Sequence, residues 1–277
     1  MGMQVNTNIS ALNSYRNLSN TQNDLAKSLE KLSSGLRINH AADDAAGLAI
    51  SQGLQSQVGG LAVASRNAQD GISVIQTAEG SLSEVQTILQ RVRDLAVQSG
   101  NDSNNAASRT AIGTEVTALG SELTRISTSA NFNGTQLLTG TATTAGLTFQ
   151  IGAGSTAGND QINVKTTDVA AIATAVNAMA FTDSTTALAS IASADTQITS
   201  VSTARANLGA QQNRFESVIR NLSVSTENLT AAKSRITDTD MASEMVKYTR
   251  SNILSQAGTA MLAQANQGNQ GVLQLLR

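Results

Sequence analysis

The 277-residue chain contains no cysteine, no proline and no tryptophan, and a single histidine, His40. The lack of cysteine excludes disulfide scaffolds, thiolate metal sites and cysteine nucleophiles. One histidine cannot supply a paired-imidazole metal motif and leaves only one ordinary candidate for an imidazole base. Average usage would give roughly 14 prolines in this length, so their absence is a strong bias. Proline breaks helix interiors by deleting an N–H and crowding the preceding turn, and a chain without it is free to form very long helices. Aromatic rings are also scarce, with four Phe and two Tyr. Positive charge is balanced rather than clustered: 18 Lys and Arg stand against 20 Asp and Glu, for a net charge of -2. That argues against nucleic acid as a partner. No run approaches the ~18 apolar residues of a membrane span, so no membrane insertion is expected. Met1 to Ser10 lack the basic and apolar regions of a cleavable signal peptide, which leaves either the cytoplasm or a signal-less export route.

What the chain does have is alanine and aliphatic residues in register. Leu, Ile, Val and Phe number 62, and Ala another 41. Such a chain forms helices easily but has few large side chains for a globular core. An elongated, mainly α protein that depends on partners is expected. Tyr15, Leu18, Gln22, Leu25, Leu29, Leu32 and Leu36 recur at alternating steps of three and four, an a/d heptad seam interrupted by one Gln. Gly35 and Arg37 to His40 end that segment. Asp43 and Asp44 then stand where a helix N-terminus favours carboxylates. A second long segment runs from about 44 to 99, carried by Leu54, Val58, Leu61, Ala68, Ile72, Ile75 and Leu82, then by Val85, Leu89 and Val92. Gly100 to Asp102 is a stop, and Ile112, Val116, Leu119, Leu123 and Ile126 mark a third helix.

The middle changes character. From Asn131 to about Asp168 the chain is rich in Gly, Thr, Ala and Asn, and Phe149, Ile151, Ile162 and Val164 alternate with polar residues. That pattern predicts a small β-hairpin near 147–165. A short Ala-rich helix is expected over 170–180. Val201, Leu208, Phe215, Leu222, Leu229 and Ile236 then fall every seven residues without exception. A strict heptad implies a helix supercoiled left-handedly against another. As one helix, 187–236 would run roughly 75 Å. Leu25, Leu29 and Leu32 near the start, and Leu208, Phe215, Leu222, Leu229 and Ile236 near the end, are the expected seam along which antiparallel rods pair and assemble.

Charge is unevenly distributed. Residues 1–15 and 251–276 contain no charged side chain, although both mix apolar residues with Asn, Gln, Ser, Thr and Ala. Solvated helix faces normally carry Lys and Glu, so charge-free amphipathic ends point to interfaces at both termini.

Several segments resemble bacterial flagellin. They are Gln4-Val5-Asn6-Thr7-Asn8, Leu32 to Asn39, Ala41 to Ile50, Leu89 to Gln98 and Phe132-Asn133-Gly134. Asn213-Arg214-Phe215, Ser234-Arg235-Ile236 and Val272 to Arg277 continue the match in the same order. The resemblance covers roughly 1–140 and 200–277. It implies a subunit, exported unfolded, that polymerises into the hollow, extracellular flagellar filament used for swimming. It implies paired terminal helices in an inner layer, D0 (1–43 and 237–277), and a rod layer, D1 (44–236), carrying the hairpin, with no large outer domain. Implied partners are further copies of the chain, an export chaperone, and the hook–filament junction and cap proteins. Leu89, Gln90, Arg91, Leu95 and Glu115 match positions that many flagellins present to a vertebrate innate-immune Toll-like receptor. Leu275, Leu276 and Arg277 match the C-terminal D0 element read by cytosolic sensors. No cofactor, metal or catalytic residue is expected.

Three other readings compete. An enzyme would need convergent titratable groups, and the zinc-protease insert of some flagellins needs two metal-ligating imidazoles where this chain has one. A junction protein shares related terminal helices but usually lacks the Leu89 to Gln98 motif in this form. A soluble coiled-coil adaptor would carry Lys and Glu flanking its seam, and charge-free termini argue against it.

Overall fold

The computed structural model describes residues 7–275. Five long helices dominate: α1 (Ile9–Ser34), α2 (Ala45–Ser99), α3 (Ala106–Ser129), and, after the middle region, α7 (Ser184–Thr237) and α8 (Met241–Leu275). Between α3 and α7 lie β1 (Asn131–Phe132), β2 (Thr135–Gln136), α4 (Thr141–Thr144), β3 (Leu147–Gln150), α5 (Ala157–Asp160), β4 (Gln161–Val164) and α6 (Val169–Asn177). The fold is mainly α with a small antiparallel strand region, as the composition requires.

The chain divides into two compact units. One joins the residues up to Ser56 with those from Asn228 onward, and the other spans Gln57–Glu227. Both boundaries fall inside helices, since α2 and α7 each contribute residues to both units. They lie at 56/57 and 227/228.

The Gln57–Glu227 unit has an apolar core. Ala187, Ala194, Val201, Leu208, Phe215 and Leu222 occupy every seventh position of α7 and are all buried. Val201, Leu208 and Phe215 share one apolar cluster with Ile75, Leu82, Val85, Leu89 and Val92 of α2 and Val116 and Leu123 of α3, also buried. α2 buries adjacent pairs such as Val74 with Ile75 and Ile88 with Leu89. Its apolar face is thus wider than a two-helix seam, which explains why its sequence rhythm shifts near Val85. Polar bonds fix the rods where their flanks meet. The guanidinium of Arg93 donates to Asp195 Oδ1 at 2.6 Å, and that of Arg205 to Gln86 Oε1 at 2.5 Å.

The hairpin of β3 and β4 pairs Leu147 with Val164 and Phe149 with Ile162. It packs on the rods through Phe149, whose ring meets Phe215 edge to face with centroids 5.6 Å apart. Asn67 Nδ2 donates to the Gln150 carbonyl at 3.0 Å, tying the hairpin to α2. A second, smaller hairpin, β1–β2, lies outside the sequence expectation. Its turn is Asn133-Gly134, both with positive φ, 49° and 78°. Two-residue strands show no alternation, so the Asn-Gly dipeptide is the only sequence signal for it.

Candidate assembly surface

In the terminal unit α1 and α8 run antiparallel. The side-chain amide of Asn8 donates to the Ala265 carbonyl at 2.9 Å, while its Oδ1 accepts from Ala11 N–H at 3.0 Å and caps α1. Halfway along, a Cβ added to Gly258 would stand 3.1 Å from Leu18, so glycine allows a close helix approach there. At the other end the Ser28 hydroxyl donates to Glu244 Oε1 at 2.7 Å. The inward positions of α1 are Ala11, Ser14, Leu18, Thr21, Leu25, Ser28 and Leu32. Those of α8 are Glu244, Tyr248, Ser251, Ser255, Gly258, Leu262 and Ala265. Both sets follow three–four spacing.

This seam differs from the one read off the leucines. Leu18, Leu25 and Leu32 belong to both, but the alternating positions move back by one residue, from Tyr15, Gln22, Leu29 and Leu36 to Ser14, Thr21, Ser28 and Gly35. The reason is steric. Small residues between Leu18, Leu25 and Leu32 let α1 and α8 approach closely, and Tyr15 and Leu29 turn outward. Tyr15 is 63% and Leu29 56% exposed. On α8, Met245, Val246, Ile253, Leu254 and Met261 are each at least half exposed, Met261 to 62%. Met245, Val246, Ile253 and Leu254 line a shallow groove together with Thr249 and Arg250. Only Leu18 among the apolar side chains of α1 is buried. The terminal pair thus packs Leu18, Leu25, Leu32 and Leu262 among small residues and still presents several large apolar side chains. Such a surface is unfavourable in water at roughly 25 cal/mol per Å² of apolar area.

The base of the pair is held by a polar knot. Gly35, at φ 72°, ends α1 in the left-handed conformation. Leu36 bridges Asp238, with Arg37 N–H donating to the Thr237 carbonyl at 2.6 Å and Thr239 N–H to the Gly35 carbonyl at 3.0 Å. The Arg37 guanidinium also donates through Nε and Nη2 to the Ile236 carbonyl, at 3.1 and 2.7 Å. Asp43 accepts from the backbone N–H groups of His40 and Asn39, which holds its carboxyl below the usual range. Asp44 caps α2 by accepting from Gly47 N–H at 2.8 Å. Asp240 caps α8 by accepting from Ala242 N–H at 3.0 Å. Hydroxyls of Ser234 and Thr237 lower the Asp238 carboxyl. His40 Nε2 stands 2.8 Å from Glu30 Oε1 on the surface.

Glu244 is buried in the pair. Burial pushes its carboxyl up, but the bonds from Ser28 and from Lys247 Nζ at 3.0 Å, with the field of Lys31, outweigh that and hold it below the ordinary glutamate range. It remains a carboxylate at neutral pH.

The sequence-derived site residues fall in several places. Leu25 and Leu32 are half-buried in the terminal seam, while Leu29 points out. Leu208, Phe215 and Leu222 lie inside the second unit. Leu229 and Ile236 are half-buried in the terminal unit. Leu89 and Leu95 are buried in the second unit's core, whereas Gln90, Arg91 and Glu115 share its surface. Arg91 donates through Nε and Nη2 to Glu115 Oε1 at 2.9 and 2.7 Å, fixing that surface pair. Leu275 is the last residue of α8; Leu276 and Arg277 lie outside the described residues, as do Gln4 to Asn6. Sequence reasoning did not single out Met245, Val246, Ile253 or Leu254, though the last two fall in the charge-free stretch that flagged the end of the chain.

Comparison with known proteins bears on what such a surface serves. Residues 5–143 match the bacterial flagellin N-terminal helical region, and residues 191–276 match the C-terminal helical region. A flagellin of Halalkalibacterium halodurans is 51% identical over 99% of this chain and all of its own length. The chain belongs to the bacterial flagellin family. A Bacillus subtilis flagellin is 49% identical, and the flagellar filament 33 kDa core protein of Treponema phagedenis 45%, each over 99% of this chain and all of the relative. The crystal structure of Bacillus cereus flagellin is 31% identical, with a TM-score of 0.48, over 61% of this chain and 94% of that one. Flagellins are structural filament proteins and not enzymes, which removes the catalytic reading. Among the described residues no helix is long and apolar enough to cross a membrane.

Proposed function

We propose that this flagellin is a structural subunit that polymerises into the bacterial flagellar filament for swimming motility, and that its terminal helix pair is the main assembly surface. One observation carries the second clause: with their seam closed, α1 and α8 still expose Tyr15, Leu29, Ile253, Leu254 and Met261. Repetition of one such contact from copy to copy, without closure, generates an open helical polymer. In this reading the α1–α8 pair is the D0 layer, and the rods with the β3–β4 hairpin are the D1 layer.

The composition suits delivery as an unfolded chain through a narrow channel to an extracellular filament. A chain with no cysteine forms no blocking disulfide, and one with no proline refolds without slow X–Pro isomerisation. Export, its chaperone, and the junction and cap proteins are expected partners because the family uses them. Of the five immune-receptor positions, Gln90, Arg91 and Glu115 are the ones on the surface, so recognition of the folded subunit would rest on them.

Seeded assembly tests the proposal. Purified full chain and a chain lacking residues 237–277 are added to sheared filament seeds and followed by sedimentation and negative-stain microscopy. Filaments from the full chain alone are expected. A full chain that stays soluble beside competent seeds would point instead to a junction protein or an adaptor.

A further inference from the structure

The chain has no thiol, so its sulfur chemistry lies in six methionines. Four of them are in the described residues. Met179 is half-buried in the second unit, whereas Met241, Met245 and Met261 all lie on α8 and are 47%, 51% and 62% exposed. Met245 lines the shallow groove with Val246, Ile253 and Leu254, and Met261 stands two helical turns beyond Leu254 on the same outward stripe. The most accessible described thioethers are thus set into the apolar face proposed above for assembly.

We propose that Met241, Met245 and Met261 form an oxidation site that controls assembly: peroxide converts them to sulfoxides in the free subunit and thereby blocks polymerisation, while burial in the filament protects them. This rests on the assembly role assigned to the terminal pair. The step balances with hydrogen peroxide as oxidant. The thioether sulfur donates an electron pair to one peroxide oxygen, an S–O bond forms as the O–O bond breaks, and water leaves. Sulfur is oxidised by two electrons and the peroxide is reduced. The product replaces a soft apolar side chain with a polar, chiral one carrying a strong acceptor. Such a group buried without a donor opposes association, and an apolar groove has few donors to offer. Arg250 is the one charged donor among the residues that line that groove. Sulfoxides are reducible by dedicated enzymes, so the block is reversible in principle.

The test uses the full chain. Free subunits are treated with hydrogen peroxide, quenched with catalase, and added to seeds, with each methionine's added oxygen read by peptide mass spectrometry. Oxidised wild-type chain is expected to lose pelleted filament by roughly tenfold or more. The M241L/M245L/M261L variant, similar in volume and apolarity, is read against its own untreated sample, and its pelleted fraction is expected to be the same with and without peroxide. Preformed filaments treated in parallel acquire oxygen at Met245 and Met261 roughly tenfold more slowly than free subunits. Wild-type chain that carries the three sulfoxides yet assembles normally overturns the proposal, as does equal oxidation in filament and free subunit. A leucine variant that loses assembly as the wild type does would place the damage elsewhere and also overturn it. The untreated chain lacking 237–277 keeps the two levels apart. If that chain assembles, the surface assignment itself fails, whatever peroxide does.

Discussion

The terminal unit and the Gln57–Glu227 unit are both built from heptad-patterned helices, yet they use the pattern in opposite ways. In the second unit the repeat positions of α7 carry the large side chains Val201, Leu208, Phe215 and Leu222, and all are buried. In the terminal pair the seam alternates Leu18, Leu25 and Leu32 with Ser14, Thr21 and Ser28 against Ser251, Ser255 and Gly258, while other large side chains such as Tyr15, Leu29, Ile253 and Met261 face outward. The first arrangement is stabilised within one copy. The second leaves Tyr15, Leu29, Ile253, Leu254 and Met261 exposed, apolar area still open to contact with other chains. The same periodicity therefore encodes a self-sufficient fold in one place and an incomplete one in the other.

The sharpest way to break this comparison is to attack the two seams separately. Phe215→Ala removes a fully buried ring and its edge contact with Phe149. It is expected to destabilise the second unit by about 3–5 kcal/mol in thermal or urea unfolding. A loss below about 1 kcal/mol would mean that this core is not self-sufficient. Gly71→Ala acts on the same core from the other side. Its Cβ would stand 2.8 Å from the Phe215 ring, so overpacking by about 1–3 kcal/mol is expected in the same assay.

Acid tests the terminal seam. Glu244 has a folded-state carboxyl held below its ordinary value, so it contributes stability above the ordinary glutamate range and loses it as pH falls through the lowered value. Helicity of the α1–α8 pair, read in assembled filaments, should hold from neutral pH down to the ordinary glutamate range and fall only below it. Glu244→Gln should flatten that fall, with an effect on the order of 1 kcal/mol from the altered Ser28 bond. A variant with the wild-type acid profile would remove Glu244 from the account. The smallest effect is expected at the surface of the second unit. Arg91→Ala opens an exposed pair with Glu115, and such pairs contribute ~0–1 kcal/mol, so the unfolding midpoint should barely move.

The legibility of the sequence follows the same division. The seven-residue rhythm of α7 was plain because large apolar residues mark every repeat, and each from Val201 to Leu222 is buried. In α1, Leu18, Leu25 and Leu32 fit two seams that differ by one residue, and periodicity alone cannot choose between them. The choice depends on the partner helix, where Gly258 admits Leu18 and Glu244 requires a hydroxyl from Ser28. The β3–β4 hairpin was visible from alternation, whereas β1–β2 is too short to alternate. The knot between Arg37 and the Ile236 carbonyl joins residues about 200 positions apart, and no local pattern announces it. The surface proposed for assembly is legible in the sequence only as an absence, the missing charge at both ends. The outward turn of Met245, Val246, Ile253 and Leu254 needed the packing of α8 on α1.

The most direct test of the central claim is seeded assembly of the full-length Ile253→Ser, Leu254→Ser variant, followed by sedimentation. Both side chains are exposed in the single chain, at 61% and 52%, so the substitutions leave the second unit's unfolding unchanged. The account predicts that the variant stays in the supernatant beside competent seeds. A variant that pellets with the seeds as the wild type does would contradict it.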